Sequence, residues 1–343
     1  MLSVLLLLGG LAPALAAGPH WTYEGPHGQQ HWHEAHPECG GRAQSPIDIA
    51  TARAQHDPSL PPLLPEGYEH PESPQLTLAN NGHTAVLALP PSLRLRGLPS
   101  AFAAVQLHFH WGRPRHAAGA EHLLDGHRAP AEMHVVHFDT ERFADASAAQ
   151  PHPGGLAVLG VLLEVGDDPH PAYDNILRHL GSIRYAGQTV AIPSFSIREL
   201  LPEHLERYYR YNGSLTTPPC SQSVLWSLLP QPVRISRAQL EQLQGSLYST
   251  EEGQEEPQLL VDNFRAPQEL NQRPVLASFP REPEGYSTGE VIAISFGVLA
   301  GCVALFLAIH FGAKRMRERR AQAQDVVFKA SSRHSPVDTG HSR

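Results

Sequence analysis

The run Val105-Gln106-Leu107-His108-Phe109-His110-Trp111-Gly112 alternates apolar and polar side chains with a period of two. Residues i and i+2 of an extended chain share a face, so Val105, Leu107, Phe109 and Trp111 lie on one side and Gln106, His108 and His110 on the other. The four large apolar residues demand burial, which predicts a strand that carries a polar stripe where a second core would be expected. A second run, Ala131-Glu132-Met133-His134-Val135-Val136-His137, has the same parity, with Glu132 and His134 opposite Met133 and Val135. If the two strands are neighbours, three imidazoles aim at one point. Three nitrogen ligands leave one position of a tetrahedral zinc open, the layout of a catalytic rather than a structural site.

Each run also places a hydrogen-bonding side chain two residues before a histidine, Gln106 before His108 and Glu132 before His134. Metal-bound imidazoles give their second ring N–H to such a group, which fixes tautomer and orientation. A chain with 22 histidines also produces H-x-H by chance, with the rings satisfied by ordinary core hydrogen bonds. On the triplet alone, both readings stand.

Compartment narrows the choice. Residues 1–17 run from Met1 through Val4-Leu5-Leu6-Leu7-Leu8 to Ala14-Leu15-Ala16-Ala17, an apolar stretch closed by small residues that reads as a secretory signal peptide. Residues 291–313 contain no Asp, Glu, Lys or Arg, long enough for one membrane-spanning helix. Lys314, Arg315, Arg317, Arg319 and Arg320 follow it, and the positive-inside bias puts them in the cytoplasm. The expectation is a single-pass type I protein of the plasma membrane. Its parts are an exported domain over 18–281, a stalk over 282–290, the span over 291–313 and a cytoplasmic tail over 314–343.

The tail has eight Lys or Arg against three Asp or Glu, so a whole-chain charge of −8 leaves −13 on the residues before it. An acidic exterior argues against a nucleic-acid partner. Cys39 and Cys220 are the two cysteines of the exported domain, and an oxidising compartment favours a disulfide between them over two free thiols. Cys302 falls within the span. Asn212-Gly213-Ser214 is a sequon, which makes Asn212 a candidate glycosylation site.

Within the exported domain, short apolar runs alternate with turn signals. Residues 76–78, 85–89, 93–95, 105–111, 133–138, 156–165 and 224–229 read as strands, and the apolar 156–163 belongs at the centre of a sheet. Helical patterns are short, over 173–180 and 238–244. The fold class is therefore mainly β with minor helices, plus one transmembrane helix. Gly297 and Gly301 form a small-xxx-small pair in that helix, a signal for a homodimer.

Taken in order, several motifs resemble the α-class carbonic anhydrases: Trp21-Thr22-Tyr23, Gln44-Ser45-Pro46-Ile47, Asn80-Asn81-Gly82-His83, His108-Phe109-His110-Trp111-Gly112, Glu121-His122, Glu132-Met133-His134, Gly155-Leu156-Ala157-Val158-Leu159-Gly160 and Gly213-Ser214-Leu215-Thr216-Thr217-Pro218-Pro219. The resemblance runs from about residue 20 to 279 and is greatest to the membrane-bound members of the family. It implies a large, twisted, mostly antiparallel central sheet with a zinc ion (Zn2+) on His108, His110 and His134 in a cleft. It also implies reversible hydration of carbon dioxide to bicarbonate and a proton, with zinc supplying hydroxide at neutral pH, chemistry for which this family is itself the reference example.

By the same resemblance Thr216 and Glu121 orient the nucleophile, and Asn263 joins Gln106 and Glu132 as an outer partner of the ligands. Val136, Val158, Leu215 and Trp226 wall the carbon dioxide pocket, and Thr217 helps place bicarbonate. His83 stands at the proton-shuttle position, with Tyr23, Asn80 and Asn81 ordering the water between; histidine is the side chain that titrates near neutrality unperturbed. Val86 and Phe264 depart from the commoner soluble pattern, where a polar residue and a tryptophan are frequent. Carbon dioxide and bicarbonate are the small-molecule partners this implies, while bicarbonate transporters are a partner class that no residue specifies. Adhesion or receptor modules of the same fold lack zinc histidines, and the intact triplet counts against that alternative.

Overall fold

The structure is a computed structural model that describes residues 21–281 and 288–331. The expected signal peptide, residues 282–287 of the stalk and the last twelve residues of the tail lie outside the described residues. The chain divides into two compact units, one up to Arg281 and one from Glu282.

The first unit is built on a 12-stranded sheet. Its principal strands are β1 (Gln75–Asn80), β2 (Ala85–Ala88), β3 (Phe102–Trp111), β4 (Ala131–Asp139), β5 (Leu156–Gly166), β6 (Thr189–Pro193), β7 (Tyr209–Gly213) and β8 (Val224–Ser236). They lie in the order β6-β1-β2-β3-β4-β5-β8-β7, with the two-residue strands Leu276–Ala277 and Gln55–His56 beyond β7. Every pair along β6 to β5 is antiparallel, and β5 runs parallel to β8. The expected mainly antiparallel sheet with few short helices is what forms. The predicted apolar run at 156–163 sits at its middle, between β4 and β8, buried on both sides.

Strand parity sorts the side chains into two cores. Leu107, Phe109 and Trp111 of β3, Met133 and Val135 of β4, and Leu159, Val161 and Leu163 of β5 join the larger cluster, which short helices cover. Val136 of β4, Val158 of β5 and Trp226 and Leu228 of β8 belong to a smaller cluster on the opposite face. The functional candidates stand on that second face. Between Val136 and His137 the register skips Val105 of β3, which is only half-buried while Ala104 joins the larger core; His137 keeps the parity of Met133 and Val135 and enters that core, its Nε2 2.5 Å from the Tyr68 hydroxyl.

The two predicted helices appear as α1 (Pro171–Leu177) and α2 (Arg237–Gly245). Ser236 caps α2 with a full capping box, its hydroxyl accepting the Gln239 amide while Gln239 accepts the Ser236 amide. Proline at the start of α1 costs nothing, because the N–H it lacks would have no helical partner there.

The described residues of the second unit form one helix, α3 (Thr288–Ser331). Residues 292–322 within it are long and apolar enough to cross a membrane, their most apolar 18-residue stretch having a mean hydropathy of 2.6. The exposed basic residues 314–320 continue the helix without a break.

Candidate metal centre

Register brings the three histidines together. His134 of β4 pairs directly with His108 of β3, Glu132 pairs with His110, and Val136 with Gln106. The ligand-capable atoms of His108, His110 and His134 all lie within 4.8 Å of one another.

Their tautomers follow from what each ring meets on its far side. His110 Nδ1 is 2.7 Å from the Asn263 carbonyl oxygen, which only accepts, so Nδ1 carries the proton. His134 donates Nε2–H to Glu132 Oε1 at 2.8 Å, and His108 donates Nδ1–H to Gln106 Oε1 at 2.9 Å. Lone pairs are therefore left on Nε2 of His108, Nε2 of His110 and Nδ1 of His134. The last two nitrogens are only 3.1 Å apart. Two lone pairs facing at that distance repel unless a cation lies between them. The spacing is close to the ~3.3 Å that tetrahedral geometry gives two nitrogens each about 2.0–2.1 Å from zinc. The donor set fits that ion.

Burial keeps these rings neutral. It holds His108 well below the usual imidazole range, lowers His110 to about 4 and lowers His134 against the opposing pull of Glu132. A neutral imidazole is the form that ligates.

Glu132 is the anchor of the second face. Burial pushes its carboxyl up, but His122 and His134 outweigh that and hold it well below the usual carboxylate range. Oε1 accepts from both His134 Nε2 and His122 Nδ1, and Oε2 accepts the backbone amides of Glu121 and His122 at 2.8 Å each. Four donors on one buried carboxylate leave it no freedom. Gly160 of β5 pairs with His134, and a Cβ there would stand 3.0 Å from Glu132 Oε1 and 2.7 Å from Leu228 Cδ1. His122, Glu132 and His134 also form a metal-capable cluster. Its Glu132–histidine contacts are already spent as hydrogen bonds.

Glu121 Oε1 accepts the Arg265 amide at 2.8 Å, while Oε2 lies 3.5 Å from His110 Nε2 and 3.9 Å from His134 Nδ1. Burial raises its carboxyl to about 7, against His134, the Thr216 hydroxyl and the Arg265 amide, all of which favour the ionised form. A cation at the histidines would act in that same ionising direction. Thr216 is buried in the loop between β7 and β8, where the Cys220 amide donates to the Thr217 carbonyl at 2.9 Å. The Cys39–Cys220 disulfide, 181 residues apart in sequence, joins this loop to the N-terminal segment.

The predicted apolar wall is also assembled here. Val136, Val158 and Trp226 are buried together with half-buried Leu215 packed on them, and the Trp226 ring lies 4.8 Å from that of His134. Val86 of β2 pairs with His108 of β3, so its departure from the commoner pattern places an apolar group beside that imidazole.

His83 is half-buried, and its ring lies flat on Trp21, with centroids 3.8 Å apart at 9°. Asn81 Oδ1 accepts the His83 and Thr84 amides. The Asn80 side chain is committed to main-chain groups of Gly82, Arg184 and Tyr248. The Tyr23 hydroxyl is raised well above its usual pKa by burial and by the charge of Glu121. Phe264 lies under the Arg128 guanidinium at 4.8 Å, and Asn212 is exposed at the end of β7.

Sequence reasoning gave no role to His122, Tyr211, Ser45 or Arg265. His122 Nε2 lies 2.7 Å from the Tyr211 hydroxyl, which donates to Ser45 Oγ at 2.9 Å, and Ser45 Oγ also accepts the Ser214 amide at 3.0 Å. The Arg265 guanidinium donates to Gln44, Ser45 and Cys39. Three of the four stand in or beside motifs quoted above, but nothing local marks residues 166 apart as partners.

A family model for the eukaryotic-type carbonic anhydrases matches residues 27–279. Carbonic anhydrase 12 of Homo sapiens is 39% identical, covering 97% of this chain and 95% of the relative. Carbonic anhydrase 6 of Homo sapiens is 37% identical over 82% of this chain and 90% of its own length. Carbonic anhydrase 7 of Mus musculus is 39% identical over 76% of this chain and 97% of its own.

Proposed function

The chain belongs to the eukaryotic-type carbonic anhydrase family, whose reaction is carbon dioxide hydration, and on that premise we propose that zinc held by His108, His110 and His134 is its cofactor, that His83 relays the proton, and that the site faces the cell exterior. The observation that carries the cofactor is the pair of lone pairs, on His110 Nε2 and His134 Nδ1, 3.1 Å apart. Zinc, when bound, lowers the pKa of a coordinated water to about 7 and so supplies a nucleophile at neutral pH.

The protein's own residues do the rest. Gln106, the Asn263 carbonyl and Glu132 fix the three imidazoles in their ligating tautomers. Thr216 donates its hydroxyl proton to ionised Glu121, so its oxygen is left to accept. That polarity favours a ligand with a proton to give. Carbon dioxide offers little to hydrogen bonding and is held by the apolar wall of Val136, Val158, Leu215 and Trp226. Thr217 places bicarbonate. Release of the proton falls to His83, with Tyr23, Asn80 and Asn81 shaping the path.

The exterior location rests on the apolar leader at residues 1–17, the disulfide, and the basic residues that follow the span. We read 18–281 as the catalytic domain, 282–290 as the stalk, 291–313 as the anchor and 314–343 as the tail. Exposed Asn212 is its glycosylation site, and Gly297 with Gly301 lets two copies of α3 approach.

Stopped-flow carbon dioxide hydration by the purified full chain in detergent, alongside its zinc content, tests the reading. Activity that a chelator abolishes and zinc restores is expected. A zinc-loaded chain without activity would return the protein to the class of binding modules.

A further inference from the structure

The segment Asp262–Arg265 has no regular structure, yet each of its residues holds a different part of the centre. Asp262 accepts the Arg113 amide at 3.0 Å and pairs with its guanidinium, which closes the end of β3. The Asn263 carbonyl orients His110, the Phe264 ring supports Arg128, and the Arg265 amide holds Glu121.

The side chain of Asn263 serves none of these tasks. It is fully buried, and all three of its hydrogen bonds go to main chain. Oδ1 accepts the Trp111 amide at 2.7 Å, and Nδ2 donates to the Phe109 carbonyl at 3.1 Å and to the His83 carbonyl at 2.9 Å. An amide NH2 has two donors. Here one is spent on the strand between His108 and His110 and the other on His83, 25 residues before the first of them.

The turn that carries His83 gets its shape from within itself. Asn80 caps the Gly82 amide, and Asn81 caps the amides of His83 and Thr84. Those contacts set the bend but not its distance from β3. Thr84 supplies one tie, since its hydroxyl and Phe109 exchange hydrogen bonds at 2.5 and 3.2 Å. Asn263 supplies the tie at His83 itself. The imidazole beyond that carbonyl rests on Trp21.

We propose that the Asn263 side-chain amide is a positioning residue for proton relay: it fixes the main chain of His83 against the strand that carries His108 and His110. The proposal rests on the reading of His83 as the relay.

Asn263→Asp in the zinc-loaded full chain is the direct test. It keeps an acceptor for the Trp111 amide and turns an oxygen toward the two carbonyls that now receive a proton. In weak buffer kcat should fall about tenfold, because small misplacement of a reacting group is costly. The value of kcat/KM, which reports hydration rather than proton release, should fall by less than kcat, since the Asn263 main-chain carbonyl that holds His110 is kept, and added imidazole should restore kcat alone. In His83→Ala/Asn263→Asp the second change should add no further loss, since both act through one group.

A readout independent of the loaded enzyme is the Trp21 fluorescence of the metal-free chain, taken as the difference from Trp21→Phe. Protonation of the stacked His83 ring quenches it, and Asn263→Asp should alter the amplitude of that titration. A parallel fall in kcat and kcat/KM with loss of zinc would make Asn263 a prop of the metal strand and overturn the proposal. Unchanged kcat and unchanged Trp21 titration would overturn it as well. If Asn263→Asp does not fold, Asn263→Ala, which leaves space instead of a buried charge, carries the same test, and loss of zinc there too would overturn it. Should His83→Ala alone leave kcat unaffected, the relay reading fails, while the Trp21 titration still decides whether Asn263 places the ring.

Discussion

At the scale of single residues, His108, His110 and His134 each have one proton arrangement open to them. Acceptor-only partners on the far side of His110 and His134 leave their lone pairs facing each other at 3.1 Å. Under the proposed function Thr216 follows the same logic: once a cation ionises Glu121, the hydroxyl donates to that carboxylate and is left to accept from the zinc-bound ligand. Thr216→Val keeps the shape and loses that polarity. Removing one such oriented group costs on the order of 10²–10³ in rate. The variant should keep its zinc and lose hydration activity by about that factor, measured by stopped flow with metal analysis. Activity close to the unsubstituted chain would take orientation away from Thr216.

Much of this scale was legible beforehand. The period-two alternation in β3 and β4 put Gln106, His108, His110, Glu132 and His134 on one face, and they are there. The partner of His110 was not legible in the same way. It is a main-chain carbonyl 153 residues on, so the identity of Asn263 says nothing about that bond.

Among elements, the pairing of β4 with β5 determines whether Glu132 has room. Gly160 faces His134 across the ladder, and the hydrogen in place of a Cβ lets the carboxylate and Leu228 close over it. Gly160→Ala puts a methyl group 2.7 Å from Leu228 Cδ1 and 3.0 Å from Glu132 Oε1. Overpacking of a tight core costs roughly 1–3 kcal/mol. Disturbing the carboxylate that orients a ligand costs about 10–100-fold in metal affinity. Both losses are expected together, read by urea unfolding and by zinc competition with a chelator; wild-type zinc affinity would show that Glu132 has slack. The central strand, both short helices and the capping box of α2 could be anticipated from apolar runs and the Ser236–Gln239 spacing. The register shift after Val136 could not, because a bulge is a property of two strands, and the sequence around His137 continues the alternation unbroken.

For the molecule as a whole, the longest covalent constraint is the Cys39–Cys220 disulfide, closing a loop of 181 residues. Loop-closure entropy and measured removals of native disulfides put its contribution at about 2–5 kcal/mol. Cys39→Ser/Cys220→Ser should lower the urea midpoint accordingly, and an unchanged midpoint would show that the N-terminal segment is held by its hydrogen bonds alone. Stability should also depend on pH through His137. Burial lowers this imidazole to about 4, against 6.5 when exposed. Between those values the unfolded chain takes up a proton that the folded chain refuses, so stability is full above pH 6.5 and falls as pH drops toward 4. One group with that shift accounts for about 3 kcal/mol. Unfolding of the metal-free chain followed from pH 7 to 4 should show this fall on top of those from the equally buried His108, His110 and His134, and His137→Asn should make it shallower by about 3 kcal/mol.

Strands β6 and β7 and the run of α3 on to Ser331 were not legible in the chain, whose pattern alone settles which residues of β3 and β4 share a face, which apolar runs form the central strands, that 291–313 suits an apolar helix and that Cys39 and Cys220 stand clear of it. These are local consequences of side-chain period and composition. Only the folded chain settles which nitrogen of each imidazole keeps its lone pair, how Glu132 comes to hold four donors, and that one asparagine ties β3 to His83. Those outcomes depend on distances between segments 10 to 180 residues apart, and a hydrogen bond has no preference that can be read until both of its ends have been brought together.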